Sequence, residues 1–244
     1  MLDYFAQSEI GLKREKNQDS YCSIKNKNGD LLLMVCDGIG GGKAGEVASG
    51  ETVKYFIETF KNCERFNSLN DAKLFMKHHI SKANEEVYRL SCRYKEFFGM
   101  GTTLTALVVT DKGVLSCNVG DSRIYGYADG KSFRLTVDHT LVNEMIQKGE
   151  ITYEESLTHP KRHYLVRAIG VWDKVDADIH QVAKMDYYLV CSDGLSSYVG
   201  DSEITKIMIN DHSSAKEKCQ SLTRLALLKG GYDNITIIVL DKNG

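Results

Sequence analysis

The sequence predicts an α+β fold in which antiparallel strands, paired as hairpins, are combined with separate helices. Three observations lead to it. Between residues 101 and 136 the apolar segments TTLTALVVT, VLSCNV, RIYGYA and KSFRLT follow one another through short turns such as DKG and DG, so they read as successive hairpins rather than strand–helix–strand units. Two longer stretches, 44–60 and 70–93, repeat apolar residues at helical spacing. The 244 residues are 42% hydrophobic with one proline and no Ser/Gly-rich tract, which predicts one domain over 1–244 with a continuous core.

In chain order, residues 4–10 alternate loosely and suit an edge strand. The charged loop GLKREKNQDSYC follows, in which Arg14 and Asp19 stand out, although either alone is an ordinary solvated loop residue. Residues 21–24 and 31–36 form a hairpin through Asn28-Gly29. The first helix, 44–60, turns Val47, Ala48, Tyr55 and Phe56 inward. The second starts at Asn70 as cap and lines up Ala72, Met76, Ile80, Ala83, Val87 and Leu90 on one face. After the two hairpins a short helix over 140–148 leads into a polar segment at 153–163, and residues 138–170 are expected to form a flap facing substrate. Residues 178–183 and 186–192 read as a strand pair. Helices at 202–209 and 213–229 come next, the latter stopped by Gly230-Gly231, and the apolar ITIIVL is a candidate central strand.

Composition narrows the function. A net charge of −2 supplies no basic field for nucleic acid or anionic lipid. No apolar run approaches the ~20 residues of a membrane span, so a cytoplasmic monomer with no membrane partner is expected. Seven cysteines without a Cys-x-x-Cys pair match neither a zinc site nor a disulfide framework; Cys36 and Cys191 lie in apolar runs as small hydrophobes. His78 and His79 point apart on a helix, and Pro160 interrupts the i, i+4 pair His159 and His163, so neither pair is expected to bind metal.

The chemistry lies in a repeated pattern. In LLLMVCDGIGGG an apolar strand stops at Asp37 and gives way to glycines, and DYYLVCSDGL repeats it with Asp193. Asp233 precedes ITIIVL, at the strand's entrance instead of its exit. Singly, each is equally well a turn residue. If the last strand runs antiparallel to the other two, however, the three carboxylates converge on one edge of the fold. Repulsion of about 1–4 kcal/mol per close pair then calls for cations. All-oxygen donors favour Mg²⁺ or Mn²⁺, and two such ions can bridge a water or hydroxide for attack on phosphorus. Arg14, with its planar fork of donors, suits the substrate phosphate.

The ordered set Arg14 with Gln18-Asp19, Val35-Cys36-Asp37-Gly38-Ile39-Gly40-Gly41, Gly101-Thr102-Thr103, Gly120-Asp121-Ser122-Arg123, Asp138-His139-Thr140, Arg167-Ala168-Ile169-Gly170, Ser192-Asp193-Gly194 and Asp233-Asn234 resembles the metal-dependent protein serine/threonine phosphatases of the PP2C (PPM) family, bacterial type. The resemblance implies a four-layer α-β-β-α sandwich of two antiparallel sheets flanked by helices, with two Mn²⁺ or Mg²⁺ ions at one end. It implies that Asp37 bridges both ions with the Gly38 carbonyl on one of them, that Asp193 and Asp233 join Asp37 on the other, and that Asp19 acts through bound water. Asp121 with Asp193 would hold a third ion, and Asn234 would support Asp233 by hydrogen bonding. The implied substrates are phosphoserine and phosphothreonine proteins produced by a Ser/Thr kinase. Two positions depart from the family: Gln18 replaces a frequent Glu, and Ile39 replaces a histidine proposed as general acid, so no general acid is assigned.

Two rivals come from other classes. The glycine-rich loop 38–45 formally fits a nucleotide-binding G-x-G-x-x-G, but the surrounding hairpins are not Rossmann units. A phosphoprotein-binding module without catalysis would be expected to lose the metal carboxylates, and here all remain.

Overall fold

The structure, a computed structural model, describes residues 2–41 and 44–242. Its strands are β1 (Asp3–Glu9), β2 (Asp19–Lys25), β3 (Leu31–Ile39), β4 (Gly101–Thr102), β5 (Leu104–Val109), β6 (Val114–Val119), β7 (Arg123–Ala128), β8 (Lys131–Arg134), β9 (Asp178–Val182), β10 (Tyr187–Cys191) and β11 (Ile235–Asp241). The helices are α1 (Ala44–Asn62), α2 (Leu69–Arg93), α3 (Leu141–Gln147), α4 (Tyr153–Thr158), the single turn α5 (Asp193–Ser196), α6 (Asp201–Met208) and α7 (Ala215–Leu228). The strands build two antiparallel sheets, ordered β1-β11-β10-β7-β8 and β2-β3-β5-β6-β9, with β4 beside the end of β3.

Strand alternation explains why the central segments are apolar throughout. In β3, Leu31, Leu33 and Val35 point between the sheets, where they meet Leu107, Tyr188, Val190 and Ile238. Leu32, Met34 and Cys36 face the other way, into the layer under α1 and α2. On the far side Leu189, Cys191, Ile237 and Val239 pack under α6 and α7. Each central strand is thus covered on both faces, and each fully buried aliphatic side chain contributes about 1.5–3 kcal/mol relative to exposure. The result is the four-layer sandwich expected from the sequence.

Several local expectations change. Residues 178–182 and 187–191 are strands but do not pair with each other: β9 pairs with β6, whereas β10 lies between β7 and β11 in the other sheet. The chain also changes sheet between β6 and β7, so the two consecutive hairpins belong to different layers. The cap of α2 is Ser68 rather than Asn70, because Ser68 and Asp71 exchange side-chain and backbone bonds in a capping box. Within the polar segment, α4 forms through the same device at Thr152 and Glu155; at six residues it is too short to show periodicity. Among the described residues no helix is long and apolar enough to cross a membrane.

Candidate active site

Four aspartates reach one pole of the sandwich because of strand direction. β2 and β3 pair with Asp19 directly opposite Asp37. β10 and β11 are antiparallel, so Asp193 just past the exit of β10 lies beside Asp233 at the entrance of β11. Arg14, Asp37, Gly38, Asp121, Asp193, Asp233 and Asn234 all line one cleft of about 380 Å³, and Asp19 is buried with them. The convergence anticipated from the strand ends is therefore met.

Hydrogen bonds hold the backbone of Asp37 and the carboxylates of Asp19 and Asp233. The backbone of Asp37 is held by Thr102 and Thr103: its N–H donates to Thr103 Oγ1 at 2.9 Å, and its carbonyl accepts from Thr102 Oγ1 at 2.9 Å and Thr103 N–H at 2.8 Å. Asp19 Oδ2 accepts from Ser192 Oγ at 2.7 Å, whereas its buried Oδ1 has no partner. Asp233 Oδ1 accepts from the Asn234 N–H at 2.8 Å, and its Oδ2 from Arg14 at 2.7 Å. Asn234 thus bonds its neighbour Asp233 through the backbone, while its side chain bonds elsewhere. Its amide donates to Ile10 O and Lys16 O and its oxygen accepts from the Gln18 N–H, which shapes the loop that carries Arg14.

Electrostatics follow from this crowding. Burial, eased by bonds from Thr236 and Ser192, pushes the Asp19 carboxyl up to about 7. Burial followed by the charges of Asp19 and Asp193 raises Asp37 well above the ordinary carboxylate range. Asp121 is raised likewise, by burial and then Asp193, and Asp193 by burial and then Asp233. The guanidinium of Arg14 is held more basic by its bond to Asp233. Among the described residues no three acid, histidine or cysteine side chains are closed around a single point; Asp233 is turned to Arg14 and Asp19 to Ser192. The donor set nevertheless fits hard cations: it is all oxygen, it contains a buried carboxylate oxygen without a partner, and each of Asp19, Asp37, Asp121 and Asp193 is short of positive charge.

The structure adds residues that sequence reasoning passed over. Ser192 bonds Asp19 across the two sheets, a role that only the fold reveals. His163 is at the cleft with Nδ1 3.9 Å from Asp193 Oδ2, whereas the nearby His159 accepts from the Lys161 N–H. Ile39 lines the cleft and offers no proton, and His139 is buried with both ring nitrogens engaged. A neighbouring cleft of about 650 Å³ shares Asp121, His163, Asp193 and Tyr198 with the first and is walled by α3 and α4. Gly38 and Gly45 serve packing: a Cβ at Gly38 would fall 2.2 Å from Gly45 O, so strand end and helix start touch through their backbones. Residues 42 and 43 of that loop lie outside the described residues.

Known proteins share this arrangement over almost the whole chain. Residues 12–227 match the family model of protein phosphatase 2C. A serine/threonine phosphatase stp of Listeria welshimeri is 33% identical over 97% of this chain and 94% of its own length. The crystal structure of serine/threonine phosphatase Stp1 from Staphylococcus aureus superposes with a TM-score of 0.92 at 34% identity, covering 100% of this chain and 96% of that one. The catalytic domain of the serine threonine protein phosphatase PstP, solved in complex with two manganese ions, gives a TM-score of 0.83 at 30% identity over 98% and 97%.

Proposed function

Since the chain belongs to the protein phosphatase 2C family, we propose that it hydrolyses phosphoserine and phosphothreonine in proteins phosphorylated by a Ser/Thr kinase, as a cytoplasmic monomer whose 244 residues form one catalytic domain. The observation that carries the reading is the meeting of Asp19, Asp37, Asp193 and Asp233 at one pole, with a raised Asp19 and an unpartnered Asp19 Oδ1.

In this reading Asp37, Asp193, Asp233 and the Gly38 carbonyl would hold two Mn²⁺ or Mg²⁺ ions with Asp19 in support, and Asp121 with Asp193 would hold a third. When bound, the ions would neutralise the clustered carboxylates and lower the pKa of a nucleophilic water. Arg14 anchors the phosphate by exchanging its bond to Asp233 for the substrate's oxygens. Thr102 and Thr103 keep Asp37 in register, and Ser192 keeps Asp19 turned into the site. The adjoining cleft under α3 and α4 has room for the polypeptide on either side of the phosphorylated residue, which supports reading residues 138–170 as a substrate-facing flap.

The test is hydrolysis of p-nitrophenyl phosphate by the full chain. Turnover is expected to require Mn²⁺ or Mg²⁺ and to vanish with EDTA or with Asp193→Asn; turnover that survives both removes the reading.

A further inference from the structure

Two of the motifs, Asp138-His139-Thr140 and Arg167-Ala168-Ile169-Gly170, have no task in the proposed reaction, yet they meet at one place. Between β6 and β7 a turn carries Asp121 to the cleft. Gly120 opens that turn at φ +105°, and a Cβ there would fall 2.5 Å from Thr103 Cγ2. Residue 139 bonds both polar groups of Gly120: the His139 N–H donates to Gly120 O at 3.0 Å, beside Asn118 Nδ2 at 3.1 Å, and the Gly120 N–H donates to His139 Nδ1 alone at 3.1 Å. At the other end of the turn, Arg123 donates to Asp138 through Nε at 3.1 Å and NH2 at 2.7 Å. Adjacent residues 138 and 139 thus grip the last and first residues of the turn, with Asp121 between.

The ring of His139 is itself held. Because Nδ1 accepts from Gly120, the ring proton is on Nε2, which donates to Asp178 Oδ2 at 3.1 Å. Arg167 NH1 donates to Asp178 Oδ1 at 3.0 Å. Its 3.4 Å approach to His139 Nε2 sets two donors side by side and is no bond. One chain of contacts therefore runs from the end of the flap through β9 to the Asp121 turn.

We infer that His139 is a positioning residue for Asp121, acting through the Gly120 N–H, with Asp178 and Arg167 fixing its ring. The inference rests on the reading above, in which Asp121 holds the third and weakest cation. With 5% of its surface exposed, His139 acts on the turn and not on substrate.

Two isosteric changes in the full chain separate its bonds. His139→Asn places an amide oxygen where Nδ1 sits and keeps the bond to Gly120; His139→Gln places an amide nitrogen where Nε2 sits and keeps only the bond to Asp178. Mn²⁺ binding is measured by calorimetry, with melting temperature recorded alongside. His139→Gln is expected to weaken the weakest Mn²⁺ site roughly 10–100-fold, the usual effect of losing such a support, while His139→Asn stays near the parent. Adding His139→Gln to Asp121→Ala is expected to cost nothing further. Equal weakening by Asn and Gln, or full additivity with Asp121→Ala while Asp121→Ala alone still weakens binding, overturns the positioning role and leaves the phosphatase reading standing. Unchanged Mn²⁺ binding in Asp121→Ala removes the third-ion assignment, and the inference with it.

Discussion

The guanidinium of Arg14 donates to Asp233 at 2.7 Å while half of its side chain remains exposed. An ion pair in that setting is worth about 0–1 kcal/mol, so a phosphate dianion can replace Asp233 at little cost. Arg14→Ala is therefore expected to raise KM for p-nitrophenyl phosphate by roughly 10–100-fold, the equivalent of one charged hydrogen bond of about 1.5–3 kcal/mol, with a smaller change in kcat. Steady-state kinetics decide it: a loss confined to kcat would mean that Arg14 does not anchor the ground-state phosphate. At this scale the sequence was informative where a residue's task follows from its own neighbours. Asp37 and Asp193 stand out because each follows an apolar strand and precedes glycine. Ser192 and His163 do not, since their importance depends on approaches to Asp19, 173 residues away, and to Asp193. Asn234 bonds its neighbour through the backbone N–H, and its side chain, which has both an acceptor and donors, binds three backbone groups of the 10–18 loop; only the first of these is local in sequence.

Between elements, the decisive contact is that of β3 with α1. A Cβ at Gly38 would lie 2.2 Å from Gly45 O and 2.6 Å from Gln18 O, and both of those are backbone atoms that cannot turn aside. Gly38→Ala is expected to cost about 1–3 kcal/mol of stability by overpacking and, by displacing Asp37, to lower kcat/KM more than urea unfolding alone explains. A variant with parental activity at full folding would show that the strand end can shift without moving Asp37. The apolar runs announced the strands correctly, since a segment such as residues 187–191, buried at every position, needs cover on both faces. Their partners were not legible. Periodicity reports how a strand is buried, not which strand lies beside it, so β9 and β10 appeared to be a hairpin although a four-residue link, 183–186, carries the chain from one sheet to the other.

Across the whole molecule, two sheets bring strand ends from distant parts of the chain to a common pole, and that imposes a pH dependence on stability. In the unfolded chain these aspartates ionise near pH 3.9. In the fold, burial first and neighbouring acids after it push Asp19 up to about 7 and Asp37 higher than the ordinary range. From about pH 4 to about pH 7 the cation-free folded state consequently binds more protons than the unfolded state, and unfolding free energy falls as pH rises. The stabilising contribution is complete below the unfolded value and is lost as pH passes the folded one. With EDTA present, the melting temperature of the parent is expected to fall between about pH 4 and about pH 7 relative to Asp19→Asn, which keeps an oxygen for Ser192 but carries no charge. Saturating Mn²⁺ is expected to remove the difference in slope, because the ionised carboxylates then face cations instead of one another. Parent and Asp19→Asn melting curves that run parallel through this range in EDTA would mean that the pole tolerates its negative charge unaided. The need for cations would then have to be sought in catalysis alone rather than in the folding of the two sheets onto each other.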